Sequence, residues 1–162
     1  MFSKLLPDMT AQSIYDIDFS LLTKKGINSI ILDIDNTLVS HRDKTPDERT
    51  LGLISHLKSL GFKLAIISNG KPERINLFTK GFDIPVVSGH LKPSKKGYII
   101  ALDKLCAKPS ECAAIGDQIF TDVLGANKMG IFSIYTTPIE KYENSFFYIK
   151  RFFEGFILKK LK

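Results

Sequence analysis

Four short apolar runs, SIILD (29–33), KLAIIS (63–68), CAAIG (112–116) and IFSIY (131–135), constrain the fold more than any other feature of this chain. Each is near-continuously apolar rather than alternating, the pattern of a parallel strand covered on both faces. Segments with helical spacing lie between them. Thr45, Pro46, Asp47 and Glu48 predict a helix start, with a cap, proline at the first position and acids in the first turn. That helix places Leu51, Ile54, Leu57 and Leu60 on one face and stops at Gly61. Residues 73–79, 95–105 and 119–128 read similarly, with Gly130 as the last stop. Strand–helix alternation predicts an α/β fold, an open sheet of right-handed βαβ units. At 162 residues the chain suits one domain, residues 1–144, with a short helical extension at 1–27. Residues 145–162 differ in character and are expected to form a basic, aromatic helix.

Composition narrows the class. No apolar stretch approaches the roughly 20 residues that span a bilayer. Pro7 and Asp8 break any signal-peptide core, and Asp16 and Asp18 are unlike an organelle presequence, so a cytoplasmic protein is expected. Cys106 and Cys112 match neither a redox pair nor a zinc framework and are expected to be reduced. The net charge of +6 is concentrated at the end of the chain, where Lys150, Arg151, Lys159, Lys160 and Lys162 face Glu154 alone. That local bias gives no strong nucleic-acid signal.

In open α/β sheets, ligands bind beyond the carboxyl ends of the strands. Those ends are polar here: Asp33 and Asp35 after the first run, Ser68 and Asn69 after the second, Asp117 after the third. Taken singly, each has a plain structural reading. An Asp-x-Asp can cap a strand and start a turn, Ser-Asn-Gly is ordinary loop chemistry, and Lys92 can be a solvated lysine before a helix. One sheet would nevertheless gather them in one crevice. Three carboxylates and a lysine there can bind Mg²⁺ and a phosphate group together, and oxygen-only ligands suit Mg²⁺ better than zinc.

DIDNT (33–37), ISNG (67–70), Lys92-Pro93 and GDQIFTD (116–122) resemble, in order and spacing, the four motifs of the haloacid dehalogenase (HAD) superfamily. KLLPD near the start, GDQIFTDVLGAN and the basic tail resemble the YqeG-like branch of its subfamily IIIA, related to phosphatidylglycerophosphate phosphatases. The resemblance implies a Rossmannoid three-layer fold with a central, mainly parallel sheet. It also implies a phosphatase that works through an aspartyl-phosphate. Asp33 would be the nucleophile and Asp35 the general acid, then base. Mg²⁺ would be held by the Asp33 carboxylate, the Asp35 carbonyl and Asp117. Ser68, Asn69 and Lys92 would bind the phosphoryl group. Thr37 and Asp122 would support, Thr37 by tying down the loop and Asp122 by orienting the metal's water shell.

Thr37 and Ser68 are separated by 30 residues, and Ser68 and Lys92 by 23, which leaves no space for a cap domain. An uncapped site suits a large substrate, such as a phosphate on a lipid headgroup, better than a free sugar phosphate. A phosphoprotein, nucleotide or nucleic-acid end is the alternative substrate, and a phosphate-binding protein without turnover the alternative class. Residues 146–162 hold five of the twelve phenylalanines. On a helix, Phe146, Ile149, Phe153, Phe156 and Ile157 fall on one side with Phe152 beside them, and Lys150, Arg151, Glu154 and Lys159 lie largely elsewhere. The segment would rest on anionic lipid at the inner membrane face, or dock on its own sheet or on a second subunit.

Overall fold

Six parallel strands form one sheet in the order β1-β6-β5-β2-β3-β4. They are β1 (Met9–Ala11), β2 (Ser29–Leu32), β3 (Lys63–Ile67), β4 (Val86–Val87), β5 (Cys112–Gly116) and β6 (Phe132–Thr136). The computed structural model describes residues 2–140 and 145–159, without the side chains of Phe2, 145–149 and Arg151. The helices are α1 (Ser20–Lys24), α2 (Glu48–Ser59), α3 (Pro72–Phe78), α4 (Lys95–Leu105), α5 (Leu124–Met129) and α6 (Ser145–Lys159).

The apolar runs take the central positions because they can be covered twice. Every residue of β2 and β5 is buried. Successive side chains of a strand point to opposite faces, and two cores result. Ile30, Leu32, Leu64 and Ile66 pack with Leu53, Ile54 and Leu57 of α2 and Ile75 and Phe78 of α3. Ile31, Ala65, Ile67 and Ala114 pack on the other side with Tyr98, Ala101 and Leu105 of α4 and Ala126 of α5. This is the three-layer α/β arrangement expected from the sequence. Residues 38–67 hold only α2 and β3 as helix and strand, and residues 69–91 only α3 and β4. From β2 the strands proceed one way through β3 to β4, and from β5 the other way through β6. The order therefore reverses between β2 and β5.

Several local expectations need correction. Residues 1–27 are not wholly helical: Met9–Ala11 form an edge strand that pairs with Ile134–Thr136. Val86–Val87 form the opposite edge on β3. The cap of α2 is Asp47 rather than Thr45, because its carboxylate accepts from the Thr50 N–H at 2.7 Å. Starting there, the helix buries Thr50, Leu53, Ile54 and Leu57, and Leu51 and Leu60 face solvent. The expected helix at 119–128 is a π-helical turn, Ile119–Val123, continued by α5. Both cysteines are free thiols, and burial pushes Cys112 up to about 12.

Asp47→Ala is expected to cost about 1 kcal/mol at neutral pH. The hydrogen bonds from Thr50 hold this carboxyl below its usual range. Its contribution is therefore complete above the unfolded value near 3.9 and is lost as pH falls through the depressed folded value. Thermal melts of both proteins should show a Tm difference at pH 7 that shrinks in acid.

Candidate active site

The reversal of strand order leaves a crevice at the carboxyl ends of β2 and β5, and the loops entering it carry the polar residues. Asp33 follows β2 directly and is 7% exposed. Its Oδ1 lies 2.5 Å from Lys92 Nζ, and Thr37 Oγ1 donates to its Oδ2 at 3.4 Å. Asn36, at φ +62, turns the chain back so that Asp35 bridges to Val39. Fully buried Asp117 follows β5. Asp122, on the π-helical turn, pairs with Lys92 Nζ at 2.6 Å through Oδ1 and accepts from the Gln118 N–H at 3.0 Å through Oδ2. The side chain of Lys92 thus enters between two acids, with only 4% of it exposed.

Asp33, Asp117 and Asp122 bring carboxylate oxygens within 4.8 Å of one another, all three residues buried. Two of these carboxylates, Asp33 and Asp122, share one ammonium, that of Lys92. A buried cluster of carboxylates is costly unless its charge is offset. Its oxygen donors and charge fit a hard divalent cation such as Mg²⁺.

Burial pushes the Asp33 carboxyl above its ordinary value, and Asp122 adds to this, while Lys92 pulls the other way. Burial alone would lower the Lys92 ammonium, but Asp122 and Asp33 hold it above the usual lysine value, so it stays charged. Asp35 is also raised by burial, against the pull of Arg74.

The other expected residues converge here with differing tasks. Ser68 is 2% exposed and its Oγ accepts from the Gly70 N–H at 3.1 Å. The Asn69 side chain faces a neighbouring loop: Oδ1 accepts from the Lys92 N–H at 2.7 Å and Nδ2 donates to the Lys92 carbonyl at 3.2 Å. It therefore fixes the backbone of the lysine. Asp122, expected to act on a water shell, stands in the carboxylate cluster itself. The Asp35 carboxylate is not one of the three in that cluster and meets Arg74 Nη1 at 2.6 Å.

Three contributors were not foreseen. Arg74 reaches Asp35 from the first turn of α3 and is also anchored by the carbonyls of Ser40 and Asp43. The buried Tyr98 hydroxyl donates to the Asp122 carbonyl at 3.1 Å. Gly116 lets the Asp122 side chain approach, since a Cβ there would lie 2.3 Å from its Cγ. The only available signals were a helix start just after a strand and a glycine one residue before Asp117.

A model of the family described as mitochondrial PGP phosphatase matches residues 2–140. The chain belongs to that family. It is a HAD-type phosphatase of the YqeG-like branch: it is 32% identical over 157 residues to "Probable phosphatase YqeG" of Bacillus subtilis (strain 168), covering 97% of this chain and 91% of the relative. It is 25% identical over 151 residues to "Phosphatidylglycerophosphate phosphatase 1, chloroplastic/mitochondrial" of Arabidopsis thaliana, with 88% of this chain covered but 43% of that one. A glyceraldehyde 3-phosphate phosphatase of Methanothermobacter thermautotrophicus is 30% identical over 149 residues, with 81% and 66% covered.

Solved structures share the fold of this HAD phosphatase. An uncharacterized protein from Listeria monocytogenes serotype 4b has a TM-score of 0.59 at 20% identity over 73% of this chain and 85% of that one. The cobalt-bound deoxy-D-mannose-octulosonate 8-phosphate phosphatase of Haemophilus influenzae has a TM-score of 0.54 at 17% identity, with 69% of each covered. Among the described residues, no helix of the phosphatase is long and apolar enough to cross a membrane.

Proposed function

We propose that the protein is a Mg²⁺-dependent phosphomonoester hydrolase that forms an aspartyl-phosphate on Asp33. Its substrate would be a phosphate carried on a large or membrane-borne molecule, such as phosphatidylglycerophosphate. The observation that carries the reading is the Asp33 carboxylate, held by Lys92 and Thr37 beside Asp117 and Asp122 at the mouth of an uncapped crevice. Asp33 and Asp117, with Asp122 next to them, would hold the cation, which neutralises charge around the phosphoryl group when bound. Asp33 attacks phosphorus, the bond from phosphorus to the leaving oxygen breaks, and Asp35 delivers the proton to that oxygen. Water then attacks phosphorus with its proton passing to Asp35, and the bond from Asp33 to phosphorus breaks. Lys92 and the Ser68 hydroxyl bind the phosphoryl oxygens.

The open crevice supports this substrate class, as does the Arabidopsis relative named for phosphatidylglycerophosphate. The relative named for glyceraldehyde 3-phosphate makes a small soluble ester the competing case. A phosphate-release panel with Mg²⁺ should rank short-chain phosphatidylglycerophosphate above glyceraldehyde 3-phosphate, nucleotides and phosphopeptides. A preference for any soluble ester would overturn the lipid assignment.

The tail supports a surface location, though not with the face read from the sequence. Glu154 and Ile157 turn inward at 1% and 5% exposure, while Phe152, Phe153 and Phe156 face out at 64%, 54% and 55%. The side chains of Phe146, Ile149 and Arg151, and all of residues 160–162, lie outside the described residues. Helix docking is thus governed by Ile157, which packs with Ile119, Val123 and Tyr135, and by the contacts of Glu154. Lys159 lies over the Phe156 ring, and Lys160 and Lys162 follow in sequence. Aromatic rings flanked by lysines suit an anionic lipid surface, at the inner face of a membrane for a cytoplasmic protein. Replacing Phe152, Phe153 and Phe156 together by alanine is expected to reduce co-sedimentation with phosphatidylglycerol vesicles several-fold. Unchanged pelleting would count against this surface.

A further inference from the structure

The inner side of α6 reaches the loop between two of the clustered acids, Asp117 and Asp122. Glu154 Oε1 accepts from the Ile119 N–H at 2.8 Å, and Lys150 Nζ donates to Gln118 Oε1 at 2.5 Å. Gln118 and Ile119 lie between Asp117 and Asp122, two of the three clustered acids. The Gln118 N–H is itself held by Asp122. Ile119 opens the π-helical turn that carries Asp122, and the first N–H groups of a helical turn lack partners within it. Glu154 supplies one from a helix 35 residues away. Burying a carboxylate is costly, and an apolar side chain would serve if packing were the only need.

We infer that Glu154 is a positioning residue for the metal-binding loop: by fixing Ile119 it sets Asp117 and Asp122, so that Mg²⁺ affinity depends on the docking of α6. The inference rests on the proposed Mg²⁺ site. Outer partners that orient metal ligands commonly change affinity 10- to 100-fold when removed. Glu154 acts through the backbone, so a change of about tenfold is expected.

The test is the rise in Tm of the whole protein as MgCl₂ is added without substrate, which gives an apparent Kd by mass action. Glu154→Ala should shift the midpoint to about tenfold higher Mg²⁺. Glu154→Gln, which keeps an acceptor oxygen, should recover most of the difference. Lys150→Ala, on a separate and less buried contact, should shift it in the same direction by a few-fold, and it carries the test if Glu154→Ala does not fold. A purely structural role would lower the Tm without Mg²⁺ and leave the midpoint unchanged. That result, in a folded Glu154→Ala or in Lys150→Ala, overturns the inference alone. A wild type whose Tm ignores Mg²⁺ overturns the metal site and the inference together.

Discussion

Asp33→Asn is expected to lower Mg²⁺-dependent phosphate release from an aryl phosphate by at least about 10³-fold while leaving the fold intact. The amide has the shape of the carboxylate but cannot form the phosphoryl-enzyme. The fold should survive because the substitution relieves crowding. Asp33 is one of three buried acids around one lysine, and Lys92 keeps its second partner, Asp122, at 2.6 Å. In metal-free buffer the Tm should therefore stay level or rise. The rise on adding Mg²⁺ should shrink, since a clustered carboxylate has gone. Phosphate release within tenfold of wild type would refute Asp33 as the nucleophile.

Lys92→Ala should act on both stability and turnover. The lysine side chain is 4% exposed and is the cation shared by Asp33 and Asp122. Removing one partner of a buried ionic group leaves uncompensated charge, at a cost of about 3–5 kcal/mol. For a chain of this size that corresponds to a fall in Tm on the order of 10 °C. Added Mg²⁺ should recover more Tm in the variant than in the wild type, because Asp33 and Asp122 have then lost their shared cation. Phosphate release should stay low even at saturating Mg²⁺, since the group proposed to bind the phosphoryl oxygens is missing. A Tm within about 2 °C of wild type would show that the acids do not depend on this lysine.

What the sequence reveals follows from how locally each feature is determined. The runs that became β2, β3, β5 and β6 were legible because both faces are buried, which leaves a continuous apolar signature. β1 and β4 were not, because strands of three and two residues at the sheet edges are too short to show a period. Asp33, Ser68, Lys92 and Asp117 could be located because strand ends converge by topology alone. Arg74 and Glu154 could not, because their reach depends on how α3 and α6 settle on the sheet. The tail marks the limit of a hydrophobicity argument. Its spacing put Phe153, Phe156 and Ile157 on one side, whereas Ile157 turns in with Glu154 and the phenylalanines turn out.

The strand order also sets when the site can come into existence as the chain leaves the ribosome. β2 finds β3 about 30 residues later, whereas β1 must wait for β6, with Met9 opposite Ile134. Such distant pairings form slowly, and an unmatched edge strand is meanwhile open to the wrong neighbour. Asp33 and Lys92 can meet once the first hundred residues are out, but Asp117 joins them only when β5 slots in beside β2. A divalent ion therefore cannot guide the early steps of folding through this cluster. It can only secure a sheet in which β5 has already joined β2, β3 and β4.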